Sequence, residues 1–150
     1  MKELQGSATG VSAAPIDECV RFFRAVDRYP SWHPEVVRQV EVLERDSEGN
    51  PTKGRGMLHV AVGPIVKDFD LVLAVTLEDA HTVKLARLPN HAGDEERFEV
   101  TWRMAAAPGG TRIRLDVLAT LSVPRFLPVG GIGDRLAQGF VSAATRGLGS

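Results

Sequence analysis

Three stretches of apolar–polar alternation constrain this chain more than any other feature. From Lys67 to Leu77, Phe69, Leu71, Leu73, Val75 and Leu77 share one face, while Asp68, Asp70, Thr76 and Glu78 share the other. From Arg97 to Ala105, Phe98, Val100, Trp102 and Met104 oppose Arg97, Glu99, Thr101 and Arg103. From Ile113 to Leu121 the inward set is Ile113, Leu115, Val117, Ala119 and Leu121, and the outward set includes Arg112, Arg114, Asp116 and Thr120. A period of two is the period of a strand. Pro108-Gly109-Gly110 joins two of these runs by a tight turn, which makes them an antiparallel hairpin. Runs with one apolar face belong to an antiparallel sheet covered on one side.

Shorter strand-like runs extend the pattern. They are Val36 to Glu44, Gly56 to Val62 and Thr82 to Leu88, separated by the turn clusters Asp46 to Pro51 and Gly63-Pro64 and followed by a polar loop, Pro89 to Glu96. Residues 3–13 read as a weak strand of small residues. Pro15 suits the first position of a helix, and Asp17 and Glu18 favour its dipole. Ile16, Val20 and Phe23, widened by Cys19, Phe22 and Val26, give an amphipathic helix of about 10 residues. Asp27 is placed to cap a second short turn through Tyr29 and Trp32. After Pro124 and Pro128, a helix runs from Asp134 to Leu148, with Leu136, Phe140 and Val141 on its apolar side. The expected fold is α+β: one domain over residues 1–150, in which a curved antiparallel sheet of about seven strands wraps around the C-terminal helix. The order is strand, two short helices, six strands, long helix.

Composition narrows the function classes. Lys+Arg is 18 and Asp+Glu 19, so the formal net charge of −1 provides no basic surface for nucleic acid or for anionic lipid. Hydrophobic residues at 43 % and charged residues at 25 % fit a folded chain rather than a disordered one. Cys19 is the sole cysteine, which excludes an intrachain disulfide and a thiolate metal cluster. The opening MKELQGSATG lacks the apolar core of a signal peptide, and no apolar run approaches the ~20 residues of a spanning helix. The expected compartment is the cytoplasm, without stable membrane insertion.

The order of elements and their residues resemble the START-like helix-grip superfamily. Three stretches carry the resemblance. Ala14-Pro15, a helix and Asp27-Arg28-Tyr29-Pro30-Ser31-Trp32-His33-Pro34 look like the family's opening. Val100-Thr101-Trp102-Arg103-Met104 with Gly109-Gly110-Thr111-Arg112-Ile113 are similar to its hairpin. The Val123-Pro124 strand end runs into the C-terminal helix. The polyketide cyclase/dehydrase and coenzyme Q-binding branches are the most similar. The resemblance implies a cavity between sheet and terminal helix that holds a hydrophobic small molecule such as a lipid, quinone or polyketide. Two departures stand out. The terminal helix looks short, and Gly6, Ala8 and Gly10 are small for a first strand.

In this frame the inward stripe Phe69, Leu71, Leu73, Phe98, Val100, Trp102, Leu115 and Val117 faces the helix as cavity wall or ordinary core. Leu58, Val60, Leu136 and Phe140 join it. Trp32 and His33 either anchor a helix end or line the cavity mouth, and the apolar loop from Phe126 to Gly133 forms a gate or an ordinary helix cap. His59 is the first suspect for catalysis, but an inward His59 would send Leu58, Val60 and Val62 to solvent, so the preferred register turns it outward. Asp68 and Asp70 lie opposite the apolar face, where pairing with Lys or Arg explains them better than a catalytic dyad. None of the four histidines has metal-site spacing, and no cofactor is expected. Three functions remain open: a binding protein for a hydrophobic small molecule, a polyketide cyclase/dehydrase-like enzyme, and a protein-interaction module with a vestigial cavity.

Overall fold

The alternating runs pair into one seven-stranded antiparallel sheet in the computed structural model, which describes residues 2–122 and 126–149. The strands are β1 (Lys2–Ser12), β2 (Val37–Arg45), β3 (Pro51–Val62), β4 (Ile65–Asp79), β5 (Thr82–Arg87), β6 (Phe98–Ala107) and β7 (Gly110–Leu121). Their spatial order is β1-β7-β6-β5-β4-β3-β2, so only β1 crosses from one end of the chain to the other edge of the meander. The helices are α1 (Ile16–Arg24), α2 (Tyr29–Trp32), which follows a 3₁₀ turn at Val26–Arg28, and α3 (Ile132–Gly147). The curved sheet and its terminal helix form the START-like helix-grip fold. The Val123-Pro124 strand end and the side chain of Leu121 lie outside the described residues.

Register follows the apolar stripes. Val100, Trp102 and Met104 on β6 stand opposite Val117, Leu115 and Ile113 on β7, all buried. On β3 and β4, Gly54, Gly56 and Leu58 face Leu73, Leu71 and Phe69. The outward positions pair by charge. Arg55 forks onto Asp70 with bonds of 2.8 and 2.6 Å, Arg103 reaches Asp116 at 2.6 Å, and His59 Nδ1 lies 2.6 Å from Asp68. His59 is therefore on the convex face, as its register requires.

Several boundaries differ from the sequence reading. β3 begins at Pro51, five residues early, because Gly54 and Gly56 carry no side chain to display alternation. The turn before it is closed by the Asp46 carboxylate, which accepts from the backbone N–H groups of Glu48 and Asn50. Pro15 is the N-cap of α1 rather than its first helical residue, and Asp27 lies inside the 3₁₀ turn and caps nothing. Leu77, at the strand's end, is 40 % exposed because the sheet outruns its cover there.

The small residues of β1 have a packing reason. A Cβ on Gly6 would overlap the backbone of Gly133, and one on Gly10 would meet Val141 Cγ1 at 2.7 Å. Glycine at both strand and helix lets α3 lie directly on β1, and Ser7 N–H donates to Asp134 at 2.9 Å to fix the helix start. α3 packs mainly along β1 and β7 and also touches β3, while α1 packs on β5, β6 and β7. The inward stripe is therefore covered by α3 and α1 together rather than by α3 alone.

Candidate functional site

The concave face encloses a cavity of about 40 Å³. Leu58, Gly54 and Gly56 of β3, Leu73 and Val75 of β4, Leu85 of β5, and Phe98 and Val100 of β6 form its floor. Val37 and Val40 of β2 form a side wall, and Val26, Tyr29 and Phe140 close it from above. Each sheet residue points inward by strand parity. β2 departs from simple parity because a register shift between Val37 and Gln39 brings both Val37 and Val40 inward. The wall is apolar throughout. Its single hydroxyl, on Tyr29, is occupied by donation to the Phe23 carbonyl at 2.7 Å, and burial pushes that phenol far above its ordinary pKa.

The cavity adjoins an aromatic cluster. Trp102 stacks on Phe23 with centroids 3.9 Å apart and planes 14° from parallel. Trp32 packs against Phe22 at 5.1 Å and Tyr29 at 4.7 Å. His33 meets the edge of Phe140 at 4.6 Å and lies parallel to Trp32 at 6.0 Å. His33 is only 7 % exposed, and burial lowers the pKa of its imidazole, with Glu35 opposing the shift and Arg146 adding to it. Three ring nitrogens here, Trp32 Nε1, Trp102 Nε1 and His33 Nε2, are buried without a well-formed protein hydrogen bond, although Trp102 Nε1 lies toward the Tyr29 hydroxyl and slightly opposes the upward shift of that phenol. Burial of one such group costs about 1–3 kcal/mol, so three in one cluster is a concentrated expense for a small fold.

Of the site residues read from the sequence, Leu58, Leu73, Phe98, Val100 and Phe140 line the cavity. Val60, Leu71, Trp102, Leu115, Val117 and Leu136 are buried on the same inward side but belong to the packed core around it. Phe69 is half-buried beside the Phe98 ring, with the Lys67 ammonium 5.3 Å from its centroid. Trp32 is packed at the end of α2, as the helix-anchor reading had it, whereas His33 is buried rather than solvated; neither lines the wall, and both sit in the cluster with Phe140 and Tyr29. Phe126 is 86 % exposed and does not reach the wall, although Leu127 and Val129 of the same loop pack on the core. Sequence reading missed Val26, Tyr29, Val37, Val40, Gly54, Gly56, Val75 and Leu85 as lining residues. The glycines had no signal to give, and the shift in β2 hid its valines. Among the described residues no three metal-ligating side chains gather, and no helix is long and apolar enough to cross a membrane.

A family profile described as polyketide cyclase/dehydrase and lipid transport matches residues 4–150. The chain belongs to this family. No curated protein matches it. Among solved structures, a START superfamily protein from Mycobacterium smegmatis is 17 % identical, covers 97 % of each chain and superposes with a TM-score of 0.74. A STAR-related lipid transfer protein from Xanthomonas axonopodis is 18 % identical over 96 % of this chain and 85 % of its own, with a TM-score of 0.68. The Zhui aromatase/cyclase of a Streptomyces species is 16 % identical over 99 % and 87 %, with a TM-score of 0.55. At these identities the likeness is one of fold. Family and neighbours together associate the fold with hydrophobic ligands and with polyketide cyclase-like proteins.

Proposed function

We propose that this chain binds a hydrophobic small molecule, of the lipid, quinone or polyketide kind, in the cavity between sheet and helices. The observation that carries this reading is the wholly apolar wall, drawn from five strands, the α1–α2 connection, α2 and α3. Such a wall takes a ligand from water at about 25 cal/mol per Å² buried, so each 100 Å² contributes about 2.5 kcal/mol before the costs of association. The cavity of about 40 Å³ is smaller than the roughly 300–1,000 Å³ typical of ligand sites. Binding therefore requires the wall to move. Of the wall side chains only Tyr29 is tied by a hydrogen bond, so the movement falls to the apolar ones, among them Phe140 above and Leu73 in the floor.

The enzyme alternative named His59 first. His59 faces outward beside Asp68, across the sheet from the cavity, which favours binding over catalysis. The test is titration with an apolar fluorescent probe. Enhancement that saturates at one probe per chain and is lost in Leu73→Asn supports the reading. A Leu73→Asn protein that stays folded and binds the probe as well as wild type would sink it.

A further inference from the structure

The small apolar cavity and the cluster that holds the unpartnered nitrogens share two side chains. Phe140 and Tyr29 line the cavity, and both also contact the aromatic cluster. Tyr29 is pinned by its bond to the Phe23 carbonyl. Phe140 is held by packing alone, with its ring 4.6 Å from His33 and 6.5 Å from each tryptophan. Of the two, Phe140 is the ring without a polar tether.

We propose that Phe140 is a gate whose rotation joins the cavity to Trp32 Nε1, Trp102 Nε1 and His33 Nε2, creating a site for a ligand with an apolar body and a neutral hydrogen-bond-accepting end. This rests on the binding reading above and adds a polar specificity to it. An indole N–H only donates, so the ligand's polar end must accept. Among the described residues no lysine or arginine lines the cavity or belongs to the cluster, Arg146 acting on His33 from the exposed face of α3, so a carboxylate would be poorly compensated there, whereas a ketone, aldehyde or ester carbonyl would not. The two indole nitrogens, and His33 Nε2 in the tautomer that carries its proton there, become the positions at which an oxygen gains a partner in the open form. A site built to bond a carbonyl also discriminates against the analogue that lacks it.

The experiment uses two ligands of one shape, acetophenone and ethylbenzene. The chain has 2 tryptophans, so an amide-region NMR spectrum of the ¹⁵N-labelled protein carries two indole signals, both from the cluster. Acetophenone is expected to move at least one indole proton downfield and ethylbenzene to move neither so. Relative to their water-to-hydrocarbon partition, acetophenone is expected to bind roughly fivefold tighter for one recovered hydrogen bond. Phe140→Leu, which shortens the gate, is expected to raise acetophenone affinity severalfold. Equal indole shifts with both ligands, or bound acetophenone that shifts the methyls of Leu73 and Val100 but no indole, would overturn the polar site. An affinity unchanged by Phe140→Leu would overturn the gate. If neither ligand perturbs the cavity methyls in either protein, the binding reading itself falls, and this inference with it. Should Phe140→Leu fail to fold, the wild-type indole shifts still decide.

Discussion

Filling the cavity should stabilise the protein and weaken its ligand binding at once. Gly56 is the position to test. It is buried, it lines the cavity, and an added Cβ there meets nothing closer than Leu73 Cδ1 at 4.0 Å, an ordinary contact. Gly56→Ala places one methyl in apolar space, worth about 0.8 kcal/mol. Removing glycine's backbone freedom from a strand interior adds roughly 0.5–1 kcal/mol. The sum is about 1.5 kcal/mol, which for a chain of 150 residues corresponds to a Tm rise of about 3–6 °C. Gly54→Ala is the internal control. Its Cβ would stand 3.3 Å from the Glu41 carbonyl oxygen, so strand β2 must yield and the gain should shrink or reverse. Thermal unfolding of the three proteins, with apolar-probe titration of each, gives the comparison. Gly56→Ala should melt higher and bind the probe more weakly. A Gly56→Ala protein that melts below wild type, or that keeps full probe binding, would refute the claim that this glycine borders usable space.

Three further outcomes follow from the packing and the charges. Gly6→Val forces the strand from the Gly133 backbone and should cost about 3 kcal/mol or more, read as a large fall in the urea midpoint; an unchanged midpoint would contradict the direct contact of α3 with β1. Burial lowers the His33 pKa from its ordinary 6.5, so the unfolded chain takes up this proton first as pH falls; stability from this group is complete above about pH 6.5 and declines below it, and wild type should lose more stability than His33→Phe between about pH 7.5 and 5.5, while parallel losses would refute the assignment. His59→Ala removes an outward, solvent-screened pair and should leave both Tm and probe titration near wild type; a lost titration would return His59 to the site.

The sheet was legible because alternation is a direct imprint of one-sided burial. The stripes of β4, β6 and β7 gave both their strands and their inward faces, and the parity of Leu58 and Val60 was enough to turn His59 outward. The site was less legible for three physical reasons. Glycine has no hydropathy to read, so Gly54 and Gly56 went unnoticed although they make the space. A register shift broke the parity of β2 and concealed Val37 and Val40. Inward-facing residues divide into cavity wall and solid core according to what lies above them, and strand periodicity holds no information about that; Trp102 and Leu73 have the same parity, yet one is stacked on Phe23 and the other borders open space. The smallness of Gly6 and Gly10, which looked like a departure from the family, is what lets α3 sit on β1.

The central claim is that this cavity opens to take up a hydrophobic molecule, and native mass spectrometry of the purified protein, followed by organic extraction, tests it most directly. The account predicts a mass above that of the 16.2 kDa chain, released on denaturation as a lipid, quinone or polyketide-like compound, or, for protein stripped of it, saturable one-to-one uptake of an apolar probe. A chain that carries nothing and takes up no probe, in wild type and in Phe140→Leu alike, would contradict it.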